Sequence, residues 1–250
     1  MKVLLVTIVI GEKYQNEYNQ LFRPSQESYA NKCGYDFKMI TDYLDNNNIH
    51  QQNIGMNKFL LCSQTWSFDY DFIIYIDADI LININAPPLH SYYDYSYYIG
   101  MIDEFSQPSK DIRLLIQKHN GWETSATDYY KLSDFDINTD MVFNSGVIVM
   151  QPKIHKDFLQ NIYDKYIHLQ MNHPRGFHFE QSCIGYSLIK NKMYKVIDNR
   201  FNAIWALNKM TGIISLEDFF KQNYFVHFAG NLDYDKVSAL YKNHNFLNIV

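Results

Sequence analysis

The chain has 250 residues, 47% of them hydrophobic and 20% charged, a balance that can bury a substantial core and excludes a disordered chain. A net charge of −5 with no clustered stripe of Lys and Arg argues against nucleic acid as the main partner. No stretch approaches the ~20 apolar residues of a membrane span, so no transmembrane segment is expected, and no Pro/Gly/Ser-rich linker divides the chain, so one domain is expected over residues 1–250.

In chain order, "MKVLLVTIVIG" imitates a signal peptide but has no small-residue cleavage site and reads as a buried first strand over residues 3–10. A helix is predicted over 13–32, closed by Gly34, then a strand over 35–40 and a second helix over 56–67. Phe72–Ile76 has the length and β-branched content of a strand covered on both faces, and it runs straight into the acidic pair Asp77 and Asp79. After Pro87 and Pro88 come a strand near 97–102 and a helix over 110–119. The polar excursion "NGWETSATDYYKLSDFDINTD" follows, of the kind that carries binding contacts over a rigid scaffold. "MVFNSGVIVMQP" reads as a strand stopped by Pro152, followed by a helix over 158–171 and a strand "FVHFAGN" over 225–231. The alternation of strand and helix predicts an α/β fold: an open, mostly parallel, Rossmann-like central sheet with helices on both faces.

Two features carry chemistry. In extended geometry Asp77 and Asp79 share a side while Ala78 faces away, and two carboxylates held together repel unless a cation or a proton lies between them. They fall at the carboxyl end of a strand, where such sheets bind ligands. A solvated turn is the plain alternative; half of a divalent-metal site is the sharp one. Cys33, Cys62 and Cys183 are an odd number at wide spacing, which suits reduced thiols in a cytoplasmic chain, or in a host's cytoplasm if the A/T-rich source is viral.

Several segments together resemble the GT-A glycosyltransferases, nucleotide-sugar-dependent enzymes on a Rossmann-like sheet. "SYANKCGYDF" is similar to their helix-to-second-strand passage, "YIDADIL" to their DxD motif, and "FNSGVIVMQP" to the N-[ST]-G strand of several retaining families. "EQS" at 180–182 resembles their Asp/Glu-Gln segment, and "HFAG" at 227–230 the histidine motif of galactosyl- and xylosyl-transferases. The resemblance implies a single GT-A domain with a nucleotide-binding half (1–103) and an acceptor-side half (104–250). It implies an enzyme moving a sugar from a nucleotide sugar, a UDP-sugar above all, to a glycan or other hydroxyl acceptor with Mn²⁺ or Mg²⁺, and with retention. An inverting enzyme on the same fold, or a sugar-binding module without turnover, are the alternatives.

On this resemblance Asp77, Asp79 and His227 bind the metal. Thr7, Tyr14, Lys58, Asp77, Ala78, Asn144, Ser145, Gly146 and Gly230 lie at the donor, Gly146 allowing close backbone approach. Glu180 and Gln181 lie at the reacting centre, and Asp103, Glu104 or Glu180 itself is the carboxylate an inverting enzyme would use as base. Arg200, Asn202 and Trp205 are acceptor-side candidates, Trp205 as a stacking surface. In the similar families the histidine motif continues to a pyrophosphate-binding lysine; here "NLDYDK" follows Gly230, and Lys236 does not fall in register with it.

Overall fold

The structure, a computed structural model, describes residues 1–45, 54–92, 94–170, 173–230 and 233–243. Its centre is a six-stranded sheet in the order β2-β1-β3-β6-β5-β7, built from β1 (Val3–Ile8), β2 (Asp36–Ile40), β3 (Phe72–Ile76), β5 (Ile99–Asp103), β6 (Phe143–Met150) and β7 (Tyr194–Val196). A small sheet, β4-β9-β8, is made from β4 (Ile80–Ile82), β8 (Ala203–Ile204) and β9 (Phe225–His227). Within the large sheet only β6 runs against its neighbours, pairing antiparallel with both β3 and β5. The expected mostly parallel α/β sheet is therefore present, with one reversed strand at its middle.

Alternation along the central strands separates two cores. Leu4, Val6, Ile73, Tyr75, Ile148 and Met150 face one side; Val3, Leu5, Ile74, Ile76, Val147 and Val149 face the other. The first side is covered by α7 (Pro152–Gln170), α8 (Phe177–Asn191) and the turn segment Lys58–Ser63. The second is covered by α2 (Arg23–Cys33) and the small sheet. A third cluster, with Leu81, Val226, Trp205 and Phe228, packs the small sheet's outer side.

Four elements differ from the sequence reading. The single helix expected over 13–32 is two, α1 (Glu12–Leu21) and α2, because the chain bends at Phe22 and Pro24 takes a first-turn position of α2, where its missing N–H costs nothing. Gly34 does close α2, at φ 69°. The helix expected over 56–67 is a single α-turn, α3 (Ile54–Asn57), followed by two 3₁₀ segments, Lys58–Ser63 and Thr65–Asp69. Gln64 between them is extended, and the Ser67 hydroxyl sits on the carbonyls of Cys62 and Gln64. Pro152 does not only stop β6; it opens α7, so that helix starts earlier than periodicity indicates.

The fourth difference positions the site. The expected strand 225–231 is strand only over Phe225–His227: Phe228 N–H still donates to the carbonyl of Asp79 in the same register, but Asp79 already belongs to the acidic turn, and residue 231 lies outside the described residues. β9 pairs with β4, a strand too short to show periodicity, in a register that sets Ile80 opposite His227. Asp77 and Asp79 are accordingly not on an extended strand. Ile80 N–H donates to Asp77 O at 3.3 Å, so the DAD segment is a tight turn between the two sheets. The remaining helices are α4 (Leu89–Tyr92), α5 (Lys110–Asn120), α6 (Ala126–Lys131), α9 (Trp205–Thr211), α10 (Leu216–Gln222) and α11 (Tyr234–Asn243). None of the described helices is long and apolar enough to cross a membrane.

Candidate active site

Where β3 passes into β4 the turn carries Asp77 and Asp79 up to His227 on β9. One ligand atom from each of the three lies within 4.8 Å of the others. His227 Nε2 is 3.2 Å from Asp79 Oδ1 and 3.8 Å from Asp77 Oδ2. On the other side of the ring, Nδ1 donates to Asn202 Oδ1 at 2.9 Å, which fixes the ring and leaves Nε2 facing the carboxylates. Burial works against a charged His227, but the adjacent Asp79, then Asp77, outweigh it and hold the imidazole above its ordinary value. Burial likewise opposes ionised Asp79, and His227 overcomes it, drawing that carboxyl down. Two carboxylate oxygens and an imidazole nitrogen converging on one point suit Mn²⁺ or Mg²⁺ with further oxygen ligands from a phosphate.

Gly146 makes this arrangement possible. A methyl there would lie 2.6 Å from His227 Cε1 and 2.9 Å from Asn144 Oδ1. The close approach that this glycine permits is thus made by the histidine ring. Its carbonyl accepts from Asp77 N–H at 2.8 Å, tying β6 to the acidic turn.

Beside the triad lies a buried charge cluster. Lys58 is 4% exposed, and its Nζ is 3.4 Å from both Asp77 Oδ1 and Glu180 Oε1 and 3.2 Å from the carbonyl and hydroxyl of Ser145. Such burial is far from the surface charge that a helix lysine usually carries. Burial disfavours its ammonium, but Asp77 and Glu180 raise its pKa above the ordinary value. Glu180, in the first turn of α8, accepts from Ser145 Oγ at 3.1 Å. Its burial outweighs the help of Lys58 and pushes the carboxyl up to about 7. Tyr75 donates to Asp77 Oδ1 at 2.5 Å.

A second network, built of amides, adjoins the first. Gln181 Oε1 accepts from Asn144 Nδ2 at 3.0 Å, and Gln181 Nε2 donates to Glu104 Oε2 and to Tyr129 OH, each at 3.0 Å. Asn144 Nδ2 also donates to Glu104 Oε2, and Asn144 Oδ1 accepts from Gly146 N–H and Asn202 Nδ2. Arg113 donates to Glu104 Oε1 at 2.7 Å. Burial opposes the Glu104 carboxylate, but Arg113 and the two amides lower its pKa below the ordinary value. Glu104, Tyr129 and Arg113 join Gln181 from residues far apart in the chain, and no local spacing announced the last two.

The other sequence candidates make contacts of their own. Asp103 is 4% exposed, and its Oδ1 accepts from the N–H groups of Phe105 and Val142, both at 3.1 Å. It caps a turn, and burial pushes its carboxyl up. Trp205 is buried against Phe219 with its indole N–H on Asp233, so the expected stacking surface faces the core. Arg200 pairs with Asp198 and lies over the Tyr224 ring. Asn202 does join the site, as the partner of His227 and Asn144. Thr7 is buried near the carboxyl end of β1, Tyr14 is exposed on α1, Ala78 is half-buried in the acidic turn, and Gly230 uses a φ of 80°. Lys236 pairs with Asp233.

The sequence model described as "Glycosyl transferase family 8" matches residues 1–232. No curated protein matches the chain by sequence. Among solved structures, a glycosyltransferase involved in glycosylation of the major capsid of PBCV-1 is similar at 14% identity and a TM-score of 0.60, over 97% of this chain and 100% of that one. Galactosyltransferase LgtC, solved with donor and acceptor sugar analogues, is similar at 10% identity and a TM-score of 0.59, over 98% and 96%. Mouse xyloside xylosyltransferase 1 is similar at 12% identity and a TM-score of 0.52, over 92% and 99%. At these identities the structures speak for a shared GT-A fold.

Proposed function

This chain belongs to glycosyl transferase family 8 and is a nucleotide-sugar-dependent glycosyltransferase, and from that premise we propose that it moves a hexose or pentose from a UDP-sugar to a hydroxyl of a glycan or other acceptor, with a divalent metal and with retention. The observation that carries this reading is the convergence of Asp77, Asp79 and His227 on one point beside the buried Lys58. Those three side chains would hold Mn²⁺ or Mg²⁺, which when bound neutralises the charge that grows on the leaving pyrophosphate. Lys58, already drawn toward Asp77, adds positive charge on the same side.

The carboxylates near the site bear on stereochemistry. An inverting transferase needs one of them as base on the acceptor hydroxyl. Asp103 is turned to two backbone amides, Glu104 is engaged by Arg113, Asn144 and Gln181, and Glu180 is held by Lys58 and Ser145. With each occupied, the leaving phosphate oxygen is the better proton acceptor, and Gln181 orients the acceptor without titrating. That assignment favours retention.

The test is a panel of UDP-sugars with Mn²⁺, scored by release of UDP, with proton NMR of the first-formed product. An α-linked product from an α-linked donor is expected. A β-linked product would overturn retention, and no release with any donor, acceptor or water would favour a binding module without turnover.

A further inference from the structure

Behind Asp77 lies the buried phenol of Tyr75, the penultimate residue of β3. Tyr75 is 4% exposed, and its ring packs into the core on the α7 side of the sheet. Its hydroxyl donates to Asp77 Oδ1 at 2.5 Å, and Lys58 Nζ, 5.0 Å over the same ring, is 3.4 Å from that same oxygen. Asp77 N–H is meanwhile fixed on the carbonyl of Gly146. The residue is therefore held at its backbone and at one carboxylate oxygen, and the other oxygen, Oδ2, is the one that faces His227 Nε2 at 3.8 Å. His227 is built in the same way, with Nδ1 committed to Asn202 and Nε2 turned toward the carboxylates. In both side chains one atom is tied to the protein and the other is left to the point where the triad converges.

A buried phenol has to find an acceptor, and a backbone carbonyl would satisfy it as well as a carboxylate does. On Asp77 it makes a short, charge-assisted bond, about twice as strong as a neutral one. We propose that Tyr75 is a positioning residue for the metal: by holding Asp77 Oδ1 it leaves Oδ2 as the single oxygen that Asp77 offers, and so favours Mn²⁺ or Mg²⁺ over Ca²⁺. A calcium ion takes about six to eight oxygens and accepts both oxygens of one carboxylate, whereas a smaller octahedral ion is suited by one oxygen from each. This rests on the reading that Asp77, Asp79 and His227 hold a divalent cation.

Tyr75→Phe removes the hydroxyl and keeps the ring under Lys58, and titration calorimetry of MnCl₂ and of CaCl₂ into the full chain with UDP present compares it with the unmodified protein. Mn²⁺ binding should weaken about 10- to 100-fold, the range for losing a group that supports a metal ligand, and the preference for Mn²⁺ over Ca²⁺ should shrink. Tyr166→Phe, the same deletion from the same core but on α7, should leave both unchanged. Unaltered Mn²⁺ binding by Tyr75→Phe would overturn the proposal. Equal losses for Mn²⁺ and Ca²⁺, or the same loss in Tyr166→Phe, would overturn it too, since each marks ordinary damage to the core. The unmodified chain separates the claims. UDP binding that is the same with Mn²⁺ and with chelator removes the metal reading and this one with it, whereas metal-dependent UDP binding that Tyr75→Phe keeps intact refutes the role of Tyr75 alone.

Discussion

The two polar clusters that meet at Asn144, Ser145 and Gly146 of β6 are built in opposite ways. Around Asp77, Asp79, His227, Lys58 and Glu180, charged groups face one another across 3.2 to 3.8 Å, in contacts longer than good charge-assisted bonds. Around Glu104, Asn144 and Gln181, one carboxylate is shared by an arginine and two amides at 2.7 to 3.0 Å. On the proposed function, the first cluster would rearrange when a cation and a pyrophosphate arrive. The second holds its shape, which is what positioning an acceptor against a reacting carbon requires. Both depend on Asn144, Asn202 and Gly146, so β6 ties the two clusters together; on the proposed function the charged cluster is the donor side and the amide cluster the acceptor side.

Substitutions should separate the two sides by size and kind of effect. The largest belongs to the triad: Asp79→Asn or His227→Ala should cut turnover by about 100-fold or more, since losing even a group that only supports a metal ligand costs up to that much. Wild-type turnover in both variants would dissolve the contrast between the clusters.

Next comes Glu180, whose carboxyl is raised from 4.5 to about 7 by burial. A folded-state value above the unfolded one means that the folded chain binds the proton more tightly, so this contribution is complete below pH 4.5 and fades as pH climbs to about 7. Its size is at most about 3 kcal/mol. The difference in unfolding free energy between the unmodified chain and Glu180→Gln, measured in urea with chelator present, should therefore shift against the unmodified chain between pH 5 and 8. A pH-independent difference would count against the buried charge cluster.

Gly146→Ala should destabilise by about 1–3 kcal/mol, because the methyl meets a ring that backbone pairing prevents from moving away. It should also weaken metal-dependent UDP binding, whereas a merely strained strand would lose stability and keep its ligand. Smaller again, Gln181→Ala should slow transfer about tenfold by loosening the acceptor side, well below the loss expected of a general base. Asp103→Asn should leave the rate nearly unchanged. If Asp103→Asn instead abolishes transfer, the enzyme inverts and the roles of the two sides must be redrawn.

How much of this was readable in the chain follows from how local each signal is. β3 announced itself as an unbroken apolar run ending in two carboxylates, and Gly34 as a helix cap, because both are properties of neighbouring residues. His227 was reached through its resemblance to a motif and not through periodicity. The partner that holds its strand, β4, has three residues and no pattern to read. The turn that gathers Asp77 and Asp79 reads in the sequence as extended chain, since both geometries tolerate the same short sequence. Arg113 and Tyr129 stayed hidden because what makes them notable is a contact with Glu104 or Gln181, made across the fold. Trp205 misled for the opposite reason: an aromatic near a site reads as a stacking surface until its burial against Phe219 is seen.

The central claim is that the donor side is incomplete without a cation. Titration calorimetry of UDP into the full chain, once with Mn²⁺ and once with chelator, tests it directly. UDP should bind measurably with Mn²⁺, and removing the metal should weaken it by about 100-fold or more, with Asp79→Asn behaving in Mn²⁺ as the unmodified chain does in chelator. Equal UDP affinity with and without the metal would contradict the account.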